Sequence, residues 1–503
     1  MLAIWAVVLG ASCGAPEDLD GDAGERDAHA DAGPTAPRFP PCDPSARLQT
    51  ITFVHVNDMH GTFHPDGDDS PPGRLRGYFE KVRQENPFTL FTNAGDDHEK
   101  GWLAEQRSEG QATVELVRAM GFDVRMLGNH DFAWGPAGVL AHSQDPHSIV
   151  LASNVRWIGP EPESFGAVHF GTIEVGCLKV GFFGLLSKPW DERNEQYTGP
   201  YLPGYDDTRY DFVSIADSIV SKRRDEVDLL VMVSHLGLEL DEHLAQCVYG
   251  IDLILSGHSH DVLHSPVNSN GALIVQAGAY ARQAFRLDLD MDLVTGRRVA
   301  RRFALVDNLP GELRAAPQVE AKVRELMGRW APDANLPVTF VAHARSELGV
   351  AELASQAAVR VHAADAALVD SWEVWTGFEP GPLSPQQILD AFKIERAPSG
   401  TPGFSSFYLV SISGMDLGHL AADLGPSRWA LSTVEGLSPE GTYQLVLQKH
   451  VAFHPRDYLP GGVTLLGAPL PLEEVWATVH SFALGRSTEC MHLDTDDPLP
   501  RCP

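Results

Sequence analysis

From about residue 48 the chain alternates short apolar runs of strand length with stretches that have helical periodicity. The apolar runs are 50–57, 88–93, 123–127, 148–155, 179–186, 228–233, 251–255 and 272–277. Such alternation predicts an α/β domain in which sheets are flanked by helices and functional loops follow the carboxyl ends of strands. The segment 283–306 consists of two runs broken at Thr295 and Gly296, which predicts an antiparallel hairpin that closes this domain.

The pattern changes after residue 308. Residues 311–331 follow a Pro-Gly break and have helical spacing, which predicts a connecting helix. A smaller α+β domain is expected beyond it, with a helix at 347–361, a buried strand at 365–370 and a helix opened by a capping box at Ser384. The predicted units are a first domain at 48–308, a connecting segment at 309–335 and a second domain at 336–503.

The amino-terminal segment has a different composition. Residues 2–12 are apolar, are too short to span a bilayer and precede Cys13, which is typical of a bacterial lipoprotein signal at 1–12. A lipid on Cys13 would then be the membrane contact of a periplasmic or cell-surface protein, anchored to the outer membrane. An ordinary cleaved signal is the alternative, and both interpretations mean export. Residues 13–47 are rich in Asp, Ala, Gly and Pro, which predicts a disordered tether.

Charge and cysteine content restrict the function further. The formal net charge of −30 argues against binding a nucleic acid polymer, although metal cations in a cleft would let a small phosphorylated substrate bind. Cys490 and Cys502 are the expected intramolecular pair among the six cysteines, and the absence of a CxxC motif argues against a cysteine-based zinc site.

Metal-ligand residue types follow five of the predicted strands. In chain order these residues are Asp58 and His60, Asp96, Asn129 with His130, His235, and His258 with His260. One buried His or Asp alone is usually a hydrogen-bonded core residue, but five strand ends with such side chains predict a metal centre. Two divalent ions about 3.5–4 Å apart need a bridging carboxylate, for which Asp96 is the candidate. The ligand set suits Zn, Mn, Co or Fe, and a hydroxide held by both metals would be the nucleophile.

The ordered series DxH, GD, GNHD, a lone His and GHxH resembles the calcineurin-like metallophosphoesterases. The stretches HVNDMHG, TNAGD and GNHDFAWG are similar to the branch of 5′-nucleotidases and 2′,3′-cyclic-nucleotide phosphodiesterases. The resemblance implies a four-layer αββα domain that binds one metal through Asp58, His60, Asp96 and His260, and the other through Asp96, Asn129, His235 and His258. It also implies that Asn129 and His130 contact the substrate and that His130 stabilises the transition state or protonates the leaving oxygen.

The chain departs from that branch beside His130. The branch has an Asp that pairs with the catalytic His, and Ala133 stands at that position. The sequence Gly-Asp-Asp-His-Glu-Lys-Gly at 95–101 is similar to the GDxxDRG motif of Ser/Thr protein phosphatases. We therefore hypothesise that Glu99 replaces the missing carboxylate and that Lys100 reaches a substrate phosphate oxygen. The alternative is that both are solvated loop charges.

The second domain departs as well. The loop corresponding to Asn-Gly-Gly-Gly-Ile-Arg in the nucleotidase branch is 370–375, where Trp375 replaces the Arg that grips the substrate. Trp375 and Phe453 are candidate substrate-binding aromatics, since base stacking needs only a π face. Three histidines, His64, His98 and His142, are interpreted as loop or surface residues.

The expected function is metal-assisted hydrolysis of a phosphomonoester or phosphodiester by an exported protein, with nucleotides as the substrate class that the resemblance favours. A phosphoesterase for a non-nucleotide substrate is one alternative. The other is a surface binding protein that kept the fold and the metals while its catalytic support weakened.

Overall fold

The computed structural model describes residues 27–29, 39–99, 101–157, 166–187, 205–206, 212–392, 406–425, 427–488 and 492–495. The strands of the first domain are β1 Asp27–His29, β2 Leu48–Val56, β3 Thr89–Asn93, β4 Val124–Met126, β5 Ile149–Leu151, β6 Arg156–Trp157, β7 Phe170–Val175, β8 Leu178–Leu186, β9 Tyr205–Asp206, β10 Leu229–His235, β11 Leu253–Ser256, β12 Val267–Ser269, β13 Ala272–Val275, β14 Gln283–Asp292 and β15 Arg297–Asp307. Its helices are α1 Pro71–Glu85, α2 Leu103–Arg107, α3 Gln111–Met120, α4 Gly135–Ser143, α5 Phe212–Arg223 and α6 Leu238–Cys247.

Two large sheets form the centre of this domain. The first has the strand order β15-β14-β2-β3-β4-β5, and the second has the order β1-β7-β8-β10-β11-β13-β12. Strands β2 to β5 run parallel in the first sheet, and β8, β10, β11 and β13 run parallel in the second. Parallel strands present their carboxyl ends at one edge, so each sheet gathers its strand-end loops there.

The sheets pack face to face and carry helices on their outer faces. The core between them contains Phe53 of β2, Phe285 of β14, Phe182 of β8 and Val231 of β10, all fully buried. A second apolar cluster joins the first sheet to α1, α2 and α3, and a third joins the second sheet to α5 and α6. This arrangement is the predicted αββα domain, since the central strands of each sheet are nonpolar and bury both of their faces.

A helix and a smaller domain follow. Helix α7, Pro317–Trp330, packs its buried Val319, Val323 and Leu326 onto the cluster of α1 and α3. The strands beyond it are β16 Thr339–Val341, β17 Ala366–Asp370, β18 Gly381–Leu383, β19 Ser406–Ser413, β20 Trp429–Thr433, β21 Thr442–Gln448 and β22 Leu465–Glu474. The helices are α8 Glu347–Val361, α9 Pro385–Asp390, α10 Gly414–Asp423, α11 Lys449–Phe453, α12 Pro455–Tyr458 and α13 Val475–Thr488. The five-stranded sheet β20-β17-β21-β19-β22 is the centre of this α+β unit.

Most predicted elements are confirmed. The hairpin β14–β15 pairs antiparallel, and helix α8 spans the predicted 347–361. At the start of α9 the Ser384 hydroxyl accepts the backbone N–H of Gln387, whose side chain accepts the N–H of Ser384. The predicted capping box is therefore present.

The predicted tether is wrong in its last part. Phe39 is buried in the core between the sheets, and the guanidinium of Arg83 lies 5.7 Å from its ring. Cys42 forms a disulfide with Cys177, so this segment is covalently held to the turn between β7 and β8. Composition alone does not reveal a single large anchoring side chain or the partner of a cysteine. Residues 1–13 and the predicted pair Cys490 and Cys502 lie outside the described residues. Among the residues that the structure describes, no helix is both long enough and apolar enough to cross a bilayer.

Candidate metal centre

The predicted ligands meet where the two sheets present their strand ends. Asp58 and His60 follow β2, Asp96 follows β3 and Asn129 follows β4, all in the first sheet. His235 ends β10, and His258 and His260 follow β11, both in the second sheet. The seven side chains therefore converge from both halves of the sandwich onto one cleft.

The backbone is strained at five of these seven positions. Asp58, His60, Asp96, His258 and His260 have φ values of 52°, 46°, 56°, 76° and 60°. Residues with a Cβ rarely adopt positive φ, because the side chain crowds the backbone, and such residues persist only where the surroundings hold them. Strain concentrated on the candidate ligands indicates that the loops are shaped to aim these side chains.

The first group of ligands is Asp58, His60 and His260. The Nε2 atoms of the two histidines are 3.1 Å apart, and Nε2 of His260 lies 3.4 Å from Oδ1 of Asp58. Two imidazole nitrogens this close, beside a carboxylate, form a donor set that suits a divalent cation.

The second group is Asp96, His235 and His258, with Asn129 beside it. Nε2 of His235 lies 3.1 Å from both Oδ2 of Asp96 and Oδ1 of Asn129, and Nδ1 of His258 lies 2.9 Å from the same Asn129 oxygen. Oδ2 of Asp96 also lies 3.8 Å from Nε2 of His60 in the first group. Asp96 therefore stands between the groups, where a bridging carboxylate is needed.

Backbone carbonyls orient two of the imidazoles. Nδ1 of His235 contacts the carbonyl oxygen of Ala94 at 2.7 Å, and Nδ1 of His60 contacts that of His98 at 3.3 Å. A carbonyl accepts only a proton, so in the neutral imidazole Nδ1 carries the hydrogen and the lone pair of Nε2 points into the cleft. For His235 that lone pair faces the oxygens of Asp96 and Asn129, and a cation between these atoms turns a repulsive contact into coordination. The residues thus fit a bound metal.

The charges of the cleft support the same conclusion. Burial alone lowers the pKa of His235, but the charge of Asp96 overcomes it and raises that pKa to about 10. Burial would raise the pKa of Asp96, yet the charges of His235 and His130 hold it well below its usual range. Burial and the charge of His235 lower the pKa of His258 to about 4. The cleft thus attracts positive charge strongly enough to keep a proton on His235, a place that a cation would take.

The predicted catalytic pair is in contact. A carboxylate oxygen of Glu99 lies against Nδ1 of His130, and the Glu99 side chain is fully buried. The backbone N–H of Glu99 donates to Oε1 of Glu105 at 2.7 Å, and the N–H of His130 donates to Oδ1 of Asp96 at 2.8 Å. Glu99 therefore lies beside His130, as the hypothesis from the sequence requires, while the side chain of Ala133 offers no carboxylate. The remaining predicted catalytic residue, Lys100, lies outside the described residues.

The two candidate aromatics differ in their surroundings. The Trp375 ring meets the Tyr280 ring edge-on at 5.6 Å, and Tyr280 in turn lies 5.4 Å from the ring of His60 and 5.3 Å from that of His260. Trp375 thus borders the first ligand group. Phe453, on α11, meets the ring of Tyr408 at 5.1 Å beside an apolar cluster of the second domain.

The interpretation of His98 and His142 as surface residues is wrong, although His98 does lie in a loop, the one that follows β3. Both side chains are 1% exposed and lie behind the Asp96 loop beside Asp131. The Asp131 carboxylate accepts the backbone N–H groups of Asp96 at 3.0 Å and Gly128 at 2.7 Å, so it ties together two of the ligand loops. The sequence carries Asp131 in the GNHD motif, but nothing in its spacing shows which N–H groups it accepts.

Comparisons with known proteins agree with this geometry. Residues 51–262 match the sequence model of the family described as "Calcineurin-like phosphoesterase". The chain is 27% identical over 243 residues to the 5′-nucleotidase of Mus musculus, a match that covers 44% of this chain and 40% of that protein. It is 25% identical over 272 residues to the uncharacterized metallophosphoesterase YunD of Bacillus subtilis, covering 52% of this chain and 54% of that one. The chain thus spans about two fifths to one half of the length of these relatives.

Solved structures extend the likeness to both domains. A 5′-nucleotidase precursor from Thermus thermophilus superposes with a TM-score of 0.64 and 18% identity, covering 87% of this chain and 96% of that one. The sulfate thiohydrolase SoxB of Thermus thermophilus superposes with a TM-score of 0.61 and 15% identity, covering 88% and 95%. At these identities the likeness establishes the two-domain fold.

Proposed function

We propose that this chain, whose residues 51–262 match the sequence model of the calcineurin-like phosphoesterases, hydrolyses phosphoesters with the help of two divalent metal ions. The observation that carries the proposal is the convergence of seven ligands into two groups that share Asp96, with His130 beside them. When bound, such ions neutralise phosphoryl oxygens and activate water for attack. Asp58, His60, Asp96 and His260 would hold one ion, and Asp96, Asn129, His235 and His258 the other.

His130 and Glu99 have separate tasks in this proposal. His130 protonates the leaving oxygen or stabilises the charge of the transition state, for which a side chain about one-fifth exposed to the cleft is suitable. Glu99 acts through His130, because its buried carboxylate fixes the tautomer and favours the imidazolium. Lys100, next along the chain, would pair its positive charge with a phosphate oxygen of the substrate.

The proposed substrates are nucleotides or cyclic nucleotides. Relatives that are 5′-nucleotidases support the class, and the aromatic pair Tyr280 and Trp375 supplies π faces beside the first ligand group. The Trp375 side chain is 42% exposed, so a base can reach its ring. Asn129 and His130 would contact the phosphate, and Phe453 would act as a second stacking ring. The protein is exported, and its lipid anchor is Cys13.

The test is turnover by the purified full chain after loading with Mn²⁺, Zn²⁺ or Co²⁺. The substrate panel contains nucleoside monophosphates, cyclic nucleotides, nucleotide sugars, and aryl phosphomonoesters and phosphodiesters. Asp96→Asn removes the bridging charge and is the blank, while Asp225→Asn on the surface is the matched control. We expect activity in the wild type and in the control. Hydrolysis of no compound by a metal-loaded wild type would overturn the proposal and favour a binding protein on the same fold.

A further inference from the structure

One buried side chain of the second domain binds the loop that follows β3 in the first domain. Gln386 is the second residue of α9 and is 2% exposed. Its Oε1 accepts the backbone N–H of Leu103 at 3.0 Å, and its Nε2 donates to the carbonyl oxygen of Gly101 at 2.9 Å and to Oδ1 of Asp390 at 2.8 Å. Both hydrogens and the oxygen of the side-chain amide are therefore engaged, and the amide fits this loop in one orientation.

This contact also caps helix α2, which begins where the loop ends. The first N–H groups of a helix need acceptors from outside the helix, and the residue before it often supplies one from its side chain. The residue before α2 is Trp102, whose side chain has no oxygen. Gln386 provides the acceptor for Leu103 instead, so the start of α2 depends on a residue of the second domain.

The loop that Gln386 holds carries Glu99 and packs against a ligand loop. Glu99 has a φ of 70°, a strained conformation that its surroundings must maintain. A Cβ on Gly101 would lie only 2.9 Å from the carbonyl oxygen of Gly61 and 3.3 Å from that of His60, so the two loops are in direct contact. A displaced Gly101 would therefore disturb both Glu99 and the backbone of the candidate ligand His60.

Helix α9 is itself firmly placed, and its other end holds the candidate stacking residue. Leu389 of α9 is fully buried in the apolar cluster of the first domain that contains Trp102. The backbone N–H of Trp375 donates to the carbonyl oxygen of Ala391, the residue after the helix, at 2.8 Å. Six helical residues span about 9 Å. One short helix thus connects the loop of Glu99 to the backbone of Trp375.

We propose that Gln386 is a positioning residue for hydrolysis, which fixes from the second domain the loop that places Glu99 beside His130. This inference rests on the proposed function and gives the second domain a part in the chemical step as well as in substrate binding. The contacts of the Gln386 amide are with the loop backbone and with Asp390, so it acts through Glu99 rather than on the substrate. Small displacements of such a group are costly, because proton transfer requires close and aligned partners.

The first test is steady-state kinetics of the metal-loaded full chain with Gln386→Met. Methionine fills a similar space and adds no charge, but it makes none of the three hydrogen bonds. We expect kcat to fall about tenfold while KM changes by less than about threefold. Gln387→Glu, an exposed neighbour on α9 that keeps the capping box, is the matched control and should behave as the wild type. An unchanged kcat with a raised KM in Gln386→Met would overturn the proposal, because that result indicates a displaced second domain.

A double variant separates positioning of Glu99 from a general loss of structure. If Gln386 acts through Glu99, the two substitutions Gln386→Met and Glu99→Gln weaken the same support of His130. The fall in kcat of the double variant should then be smaller than the product of the two single effects. A fall equal to that product would mean that the two residues act independently, and the proposal would be wrong.

Amide hydrogen exchange, followed by mass spectrometry, tests the contact without any turnover. The peptide 99–106 should exchange about tenfold faster in Gln386→Met than in the wild type, whereas the β3 peptide 89–93 should not change. Gln387→Glu should leave both peptides unchanged. Unaltered exchange of 99–106 in Gln386→Met would overturn the proposal. A wild type that hydrolyses nothing would refute the proposed function, and the exchange rates would still decide whether Gln386 holds the loop.

Discussion

The contact between Glu99 and His130 allows a sharp test of the catalytic proposal through Glu99→Gln. Glutamine keeps the shape of the side chain and can still contact Nδ1 of His130, but it removes the negative charge. The carboxylate of Glu99 is fully buried, so water cannot replace it. The backbone of residue 99, at φ 70°, remains held by the carboxylate of Glu105. The substitution therefore changes the charge beside His130 with little change in geometry.

The size of the effect follows from the type of hydrogen bond that is lost. A hydrogen bond with a charged partner contributes about 1.5–3 kcal/mol, roughly twice a neutral one. If Glu99 supports the protonated His130 in the transition state and Gln keeps a neutral hydrogen bond to it, about 0.75–1.5 kcal/mol is lost, which lowers kcat about three- to tenfold. KM should change little, because Glu99 contacts His130 rather than the substrate. The limb of the pH–rate profile that reports protonated His130 should move to lower pH.

The assay is steady-state kinetics from pH 5 to 9 on the best substrate of the panel, with metal content measured on each preparation. Glu109→Gln, an exposed glutamate nearby in the chain, is the control and should behave as the wild type. An unchanged kcat and pH profile in Glu99→Gln would refute the reasoning and return Glu99 to the role of a structural loop charge.

Three further predictions concern other parts of the molecule. Trp375→Ala should raise KM for nucleotides about tenfold with little change in kcat, because base stacking contributes about 1–3 kcal/mol. An equal effect of Trp372→Ala would contradict a specific stacking role for Trp375. Burial raises the pKa of Asp241 from 3.8 to about 7, so the stability that its protonated form contributes is present below pH 3.8 and is lost as the pH rises through about 7. The free energy of unfolding of Asp241→Asn, measured by urea unfolding from pH 4 to 8, should therefore exceed that of the wild type by an amount that grows with pH to about 4 kcal/mol. A difference that does not change with pH would refute this account. Replacement of Cys42 by Ser breaks the link to Cys177 and should cost about 2–5 kcal/mol of unfolding free energy, which an unchanged urea midpoint would rule out.

The candidate metal ligands could be predicted from sequence because all seven lie at or within four residues of the end of one of five strands. Asp58 stands two residues after β2 ends and His235 is the last residue of β10, so local pattern fixes their position. Parallel neighbours then bring the strand ends to one edge without any knowledge of side-chain packing. The partnership of Glu99 with His130 was accessible only as a hypothesis, because it joins two loops.

The burial of His98 and His142 could not be predicted for the same reason. His98 and His142 belong to a loop and to the end of α4, and no periodic signal marks a buried histidine there. Their burial results from Asp131 drawing the loops after β3 and β4 together. Long-range partners such as Cys42 with Cys177, or Tyr280 with Trp375, likewise depend on the assembled fold.

The division of the ligands between the two sheets has a consequence for how the protein matures. Four of the seven ligands come from the first sheet and three from the second: Asp58, His60, Asp96 and Asn129, then His235, His258 and His260. Neither sheet alone can assemble both coordination spheres, so a reactive centre cannot exist before the sandwich has closed. A metal centre that draws its ligands from both sheets would therefore form only after the sheets have packed together, and bound ions would then link one sheet to the other.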